Sequence, residues 1–407
     1  SEMCIRDRVH NTVASLTGAA CLVLTHILSI EDCIDAVDVE TICILVGMML
    51  LVAVIKNSGI FEYIAIKAAK IAKGRPWPIM VIFILITAVC SGMLDNVTTV
   101  LLVGPMTLAI TNILKVDPVP YIITQIMASN IGGTATLIGD PPNIMIGSAA
   151  KLSFVDFILN TGVATVFVII VGLICMYFIY GRKLFVTDES IAKVMQLDEN
   201  KAIKDRKLMH ESVIVIILVA LCFIFHDQLG VQSCTVAIAA ACIMLLIGGQ
   251  EPEEIIADVE WPTILFFIGL FIVVGGMKKV GVITMLANGL ISITHGNMVV
   301  TMMVILWVSA IVSSFLDNIP FVATLIPMIL TMQSEGMDVA PIWWALSLGA
   351  CLGGNGTLIG ASANVVLSGI SKNNGHPITF GQYFKIGFPM MILSIIVCSV
   401  FLLIRFA

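Results

Sequence analysis

The sequence predicts an all-α polytopic membrane protein: an inverted structural repeat with two re-entrant helical hairpins and two broken helices. Three observations carry that expectation. Across 407 residues, charged side chains make up 12% and the apolar set 59%, and the mean hydropathy is +1.06. A soluble fold of that composition would expose more apolar surface than water tolerates. Several long apolar runs are interrupted in their middles by Asp-Asn pairs or by glycine-rich stretches. Finally, the interrupted segments occur twice, about 222 residues apart.

Along the chain, apolar runs approaching the ~20 residues needed to span a bilayer occupy 9–30, 39–55, 157–180, 210–225, 231–248, 261–277 and 384–406. Segments 77–113 and 297–333 are apolar but broken by Asp95-Asn96 and Asp317-Asn318, and are expected to be hairpins. Segments 121–150 and 341–371 are broken by glycines, as expected of interrupted helices. The shorter stretches 60–73 and 282–294 have the length and pattern of interfacial helices. The one long polar stretch, 181–209, carries seven Lys and Arg, which places it in the cytoplasm by the positive-inside rule. Counting crossings outward from it puts 17 of the 21 Lys and Arg inside, all but Lys151, Lys278, Lys279 and Arg405. The purely acidic loop 248–260 also falls inside and neither supports nor opposes that count.

The repeat is explicit. Ser91-Gly-Met-Leu-Asp95-Asn96-Val-Thr98-Thr99-Val recurs as Ser313-Ser-Phe-Leu-Asp317-Asn318-Ile-Pro-Phe-Val, an offset of 222. Gly132-Gly133-Thr-Ala-Thr136-Leu-Ile-Gly139-Asp140-Pro-Pro-Asn143 recurs as Gly353-Gly354-Asn355-Gly-Thr357-Leu-Ile-Gly360-Ala-Ser-Ala-Asn364, an offset of 221 with seven of twelve positions identical. Five crossings separate residue 39 from its partner 261, and an odd number turns the second copy upside down. Inverted repeats with matching interruptions are a mark of secondary transporters, whose site lies at the repeat interface near the midplane. The domains expected are a first repeat over 1–180, a linker over 181–209 and a second repeat over 210–407. Because 210–225 and 231–248 find only one counterpart before residue 39, a span is expected to be missing from the N-terminus, with Ser1–Arg8 foreign to the native chain.

The chemistry concentrates in the interruptions. A carboxylate in mid-membrane costs at least ~2.5–3.5 kcal/mol on insertion scales, and neither Asp95 nor Asp317 has a Lys or Arg nearby within its apolar run. Such a residue must take up a proton, bind a cation or face a water-filled cavity, and capping a helix at the hairpin tip is the structural reading. Thr98, Thr99, Asn96 and Asn318 offer oxygen ligands suited to a hard cation such as sodium. The glycine-rich breaks free backbone groups that lipid will not satisfy. Freed carbonyls would attract a cation and half-helix N-termini an anion. Close helix packing is the other reading of these glycines. No Walker loop, HExxH, CxxC or GxSxG is present, so catalysis has no support. The scattered cysteines, seven of them inside apolar runs, read as packing residues. A net charge of -6 without a basic block excludes nucleic acid as a partner. The partner is the lipid bilayer.

The paired Asp-Asn hairpins and the two long Gly-Gly motifs resemble the ion transporter superfamily from about residue 9 to the C-terminus. The nearest branch is that of the P protein and its bacterial relatives, grouped with arsenite permeases and NhaD-type sodium/proton antiporters, with a citrate-transporter-like domain. The resemblance implies a scaffold domain, a mobile transport domain, elevator-type alternating access, a homodimer and a bacterial inner-membrane location. In related sodium-coupled dicarboxylate symporters each hairpin tip reads Ser-Asn-Thr. Here Asn96 and Asn318 keep the asparagine, but Asp95 and Asp317 replace the serine, and Val97 and Ile319 the threonine. A negative charge at each tip opposes a dicarboxylate and suits sodium or a proton.

The expected function is therefore secondary transport of a small ion coupled to sodium or proton. The expected binding residues are Asp95, Asn96, Thr98, Thr99, Gly132, Gly133, Thr136, Gly139, Asp140 and Asn143 in one half-site. Asp317, Asn318, Gly353, Gly354, Asn355, Thr357, Gly360 and Asn364 form the other. No cofactor is expected beyond a bound sodium at the Asn96 and Asn318 tips. An anion channel on the same scaffold and a sodium-coupled dicarboxylate or citrate transporter are the alternatives. Asp140, which becomes Ala361 in the second copy, should make the first half-site the tighter one for cation.

Overall fold

A computed structural model describes residues 10–407, which fold into helices and connecting turns with no strand among them. The expectation for Ser1–Arg8 lies outside the described residues. Two helices, α1 (Asn11–Leu24) and α2 (Ile30–Ala36), come ahead of the motif-bearing part of the first repeat. That part comprises α3 (Val39–Lys56), α4 (Ile60–Ile71), the hairpin α5 (Pro76–Met93) and α6 (Asn96–Leu114), and the broken helix α7 (Val119–Thr134) and α8 (Pro141–Ala150). It closes with α9 (Phe154–Phe157) running through a widened turn (Ile158–Gly162) into α10 (Val163–Ile179). The linker holds α11 (Asp188–Met195), then α12 (Arg206–Leu229), α13 (Ser233–Gly248) and α14 (Pro252–Ala257) follow. The second repeat is α15 (Trp261–Lys279), α16 (Val282–Thr294), the hairpin α17 (Met298–Phe315) and α18 (Asn318–Ser334), the broken helix α19 (Ala340–Gly353) and α20 (Ser362–Asn373), and α21 (Phe380–Phe406). Eight helices among the described residues are long and apolar enough to cross a membrane.

One sequence expectation is corrected. The run 9–30 is not one span: α1 stops at Leu24, His26 adopts a left-handed φ of 58°, and α2 starts afresh. The cause is local, because Ser29 and Asp32 form a reciprocal capping box that nucleates a new helix. The polar stretch 181–209 holds α11, and its last residues form the start of α12 at Arg206. Val194 of α11 is fully buried against Ala65, Ala68 and Ala69 of α4. Lys70 Nζ lies 2.5 Å from Glu199 and also donates to the Leu197 carbonyl at 3.2 Å. Lys70 holds the Glu199 carboxyl below the usual carboxylate range. The contact therefore contributes fully above the ordinary carboxylate pKa and is lost only as pH falls through the depressed one. Glu199→Gln should leave the fold intact while speeding tryptic cleavage at Lys193 and Lys201, and unchanged cleavage would mean the pair does not hold the linker.

The two halves are related in space as well as in sequence. α13 packs along α3 as α1 packs along α15, and α20 packs against α6 as α8 packs against α18. Each contact is the other with the halves exchanged. With α3, α7–α8, α9–α10, α12 and α13 each read as one crossing, α15 starts on the side opposite to α3. The linker breaks this symmetry. Gly59 and Gly74 have left-handed φ of 81° and 65°, and a Cβ there would sit 2.1 Å from the Ala202 carbonyl and 3.0 Å from Ile191, both in the linker. Their counterparts Gly281 and Gly296 share the conformation but face open space.

Burial identifies the centre. Nearly every residue of α7 and of α19 is buried, as expected of helices surrounded by other helices, whereas α10 and α12 present many exposed apolar side chains, among them Phe167, Ile170, Ile214 and Leu218, a composition suited to lipid.

Candidate functional site

Each hairpin is fastened to the broken helix of its own repeat by the same set of contacts. Ser91 Oγ donates to the Ser129 carbonyl at 2.6 Å, and Ser313 Oγ to the Ala350 carbonyl at 2.6 Å. Thr136 Oγ1 donates to the Gly92 carbonyl at 2.5 Å, and Thr357 Oγ1 to the Ser314 carbonyl. At the crossings, a Cβ on Gly132 would meet the Ala88 carbonyl at 2.1 Å, and one on Gly353 the Ala310 carbonyl at 2.7 Å. Those two glycines permit backbone-to-backbone approach. Gly133 with Gly139, and Gly354 with Gly360, close each break upon itself.

The carbonyls freed by the breaks are mostly claimed by protein. Asn143 Nδ2 donates to the carbonyls of Gly133, Thr134 and Thr136 at 3.3, 3.2 and 2.9 Å. Asn364 Nδ2 does the same for Gly354 and Thr357 at 2.7 and 2.9 Å. These asparagines thus act as braces for the breaks. Asn143 Oδ1 accepts from Ser347 Oγ at 2.6 Å, which ties the first break to the second broken helix.

Both hairpin tips reach this centre. Asp95 caps α6, accepting from Thr98 N at 2.8 Å and Thr98 Oγ1 at 2.5 Å, so the Thr98 hydroxyl is already engaged. Asp317 caps α18, accepting from Ile319 N and from Ser362 Oγ at 3.3 Å each. Asn318 Nδ2 donates to Asp140 at 3.2 Å, and Asn96 Nδ2 to Asn130 Oδ1 at 3.4 Å. Among the described residues, no hydrogen bond reaches the side-chain carbonyl oxygen of Asn96 or Asn318. Asp95 is 6% and Asp140 1% exposed, while Asp317 is half-buried. Asp317 adjoins Asn318, the donor to Asp140, and Asp95 adjoins Asn96, the donor to Asn130. Among the described residues no ion pair reaches any of the three, and no group of three His, Cys, Asp or Glu is placed to hold a metal ion. Thr99 is fully buried, one helical turn from Asn96, with its hydroxyl unpartnered.

The hub is a residue that the repeat comparison passes over. Asn130 Nδ2 donates to Asn355 Oδ1 and to Asn364 Oδ1, both at 2.9 Å, while its Oδ1 accepts from Asn96. Its counterpart is Cys351, so no identity marks it. The available signal was a buried amide in an apolar helix two residues before the glycine pair.

Compared with known proteins, residues 3–349 match the family model described as citrate transporter. The chain belongs to the citrate transporter family. An uncharacterized transporter of Mycobacterium bovis is 42% identical over 98% of this chain and 95% of its own length, and a 46 kDa membrane protein of Mycobacterium leprae is 39% identical over the same shares. The P protein of Sus scrofa is 33% identical over 98% of this chain, which spans 57% of that longer protein. Among solved structures, the YdaH transporter of Alcanivorax borkumensis, reported to have an unusual topology, aligns with a TM-score of 0.63 at 14% identity over 97% of this chain and 98% of its own. That likeness concerns the fold alone. This member of the citrate transporter family is thus a multi-pass integral membrane transporter.

Proposed function

We propose that the protein is a secondary active transporter that moves a small ion by alternating access, coupled to one monovalent cation, sodium or proton. One observation carries the reading: four helix N-termini and three carboxylates meet at the centre with no cationic side chain paired to them. The helices are α6, α8, α18 and α20, whose N-cap positions are Asp95, Asp140, Asp317 and Ala361. Each helix N-terminus carries about half a positive charge, so four of them offset about two of the three carboxylate charges. About one negative charge is left over, the amount one proton or sodium ion neutralises. The unclaimed carbonyls of Asn96 and Asn318 are ligands suited to that ion.

Asp95, Asn96, Thr98 and the 132–143 break form the first half-site, and Asp317, Asn318 and the 353–364 break the second. Asp140 makes the first the tighter one. The tips and broken helices move as a transport domain against a scaffold containing α3, α12, α13 and α15. The protein works as a homodimer in a bacterial inner membrane, with the linker in the cytoplasm. Citrate, the substrate in the family's description, is a poor fit as a free polycarboxylate, because it would meet three carboxylates and no cationic side chain.

In proteoliposomes, a panel of sodium, proton, chloride, arsenite and dicarboxylate fluxes should show one ion moving against its gradient when sodium or protons flow down theirs. Asp95→Asn and Asp317→Asn should each stop that coupled movement. Undiminished coupled transport in both variants refutes the assignment.

A further inference from the structure

We infer that the seam between α6 and α7 holds ordered water and passes the coupling proton between the central carboxylates and the base of the first hairpin. The proton step rests on the transport reading above, whereas the water does not.

On α6, Asn96, Thr99, Val103, Thr107 and Thr111 follow one another at three- and four-residue spacing and so share one face. Thr99, Thr107 and Thr111 are fully buried. On α7, Thr124, Gln125, Ser129 and Asn130 are buried as well. The two sets meet at both ends of the seam: Asn96 donates to Asn130 at 3.4 Å, and Gln125 Nε2 donates to Thr107 Oγ1 at 2.5 Å.

The fold does not require this polarity. In the second repeat the equivalent positions on α18 are Asn318, Phe321, Leu325, Ile329 and Gln333, and on α19 they are Ala345, Leu346, Ala350 and Cys351. The same packing is therefore built there from an almost wholly apolar seam, and the first repeat carries its buried hydroxyls and amide for another reason.

Two atoms show what that reason is. The Thr99 hydroxyl and the Gln125 Oε1 are buried with no hydrogen-bond partner. The neighbouring hydroxyls are satisfied by their own helix, Thr107 at the Val103 carbonyl (2.9 Å) and Thr111 at the Thr107 carbonyl (2.7 Å). A buried orphan is expensive in an apolar interior, and ordered water is its usual partner. A water at Gln125 Oε1 donates to it, and one at Thr99 accepts from or donates to the hydroxyl. The track begins beside Asp95 and ends past Thr111, where Lys115 and Asp117 are exposed at the hairpin base. Along it, a proton leaving a central carboxyl joins the nearest water as that water releases another toward the base. One proton moves: the carboxyl becomes a carboxylate, each relaying water gives up one proton for the one it takes, one proton leaves at the base, and nothing is oxidised or reduced.

The test is the double variant Thr99→Val with Gln125→Leu, the second change installing the residue type found at Leu346. Density maps of the wild-type protein in lipid nanodiscs, at a resolution that shows water, should contain peaks within hydrogen-bond reach of both atoms and none in the α18–α19 seam. In vesicles loaded with a pH dye, under an imposed potassium diffusion potential, the variant's proton flux should fall by an order of magnitude while its melting temperature holds or rises. A dry α6–α7 seam in maps that show water elsewhere in the core overturns the inference, as does undiminished proton flux in the variant. A wild type that moves sodium but not protons overturns the proton role. If it moves no ion of the panel at all, the transport reading fails, and the maps alone decide the water.

Discussion

Asp140→Asn is expected to abolish gradient-driven flux without unfolding the protein. The carboxylate is 1% exposed, sits at the first turn of α8, and is held by Asn318 from the opposite repeat. Removing its charge leaves two carboxylates facing four helix N-termini, which cancels the excess negative charge and with it the attraction for a coupling cation. Flux in proteoliposomes should fall ~100-fold or more, the scale lost with a positioned proton-transfer group. Melting temperature should hold or rise, because a buried charge without a cationic partner has been neutralised. A direct affinity measurement on Asp140→Ala should show weakened cation binding. Unchanged flux in Asp140→Asn would mean that the carboxylate serves only to hold Asn318.

Gly132→Ala should be strongly destabilising. The added methyl group would lie 2.1 Å from the Ala88 carbonyl and 2.5 Å from its Cα, and neither atom can swing aside. Overpacking of this kind costs about 1–3 kcal/mol or more, and relieving it pushes α7 away from α5, carrying the Thr136 anchor with it. Gly353→Ala meets its nearest backbone atom at 2.7 Å and should cost less. Thermal melting of both variants in detergent tests the ranking, and equal melting to wild type would show that the crossings are looser than described.

Much of the architecture was legible because its signals are abrupt. An Asp-Asn pair or a run of glycines inside an apolar stretch can hardly be anything but an interruption, and duplication at a constant offset gave the pairing of elements. Other features depend on contacts that hydropathy does not register. The end of α1 at Leu24 is set by a turn at His26 and the Ser29–Asp32 capping box, both short-range devices within a run that reads as continuous. The docking of the linker hinges on Val194 and Lys70, one apolar and one charged residue in segments that separately read as loop and interfacial helix. Within the centre, identity between the repeats pointed to Asn143 and Asn364, which brace the breaks, and passed over Asn130, whose value lies in differing from Cys351. The likeness of Gly132 and Gly353 came from helix crossing as much as from any ligand.

The account stands on two oppositely oriented copies meeting at their interruptions, where Asn318 of one holds Asp140 of the other. Lys73 and His295 are equivalent residues at the two hairpin bases, both exposed and both in left-handed turns. Single cysteines at these positions, in an otherwise cysteine-free protein, can be probed in intact cells with a membrane-impermeant maleimide. The account predicts labelling of the His295→Cys protein from outside and of the Lys73→Cys protein only after lysis; labelling of both from the same side would contradict it.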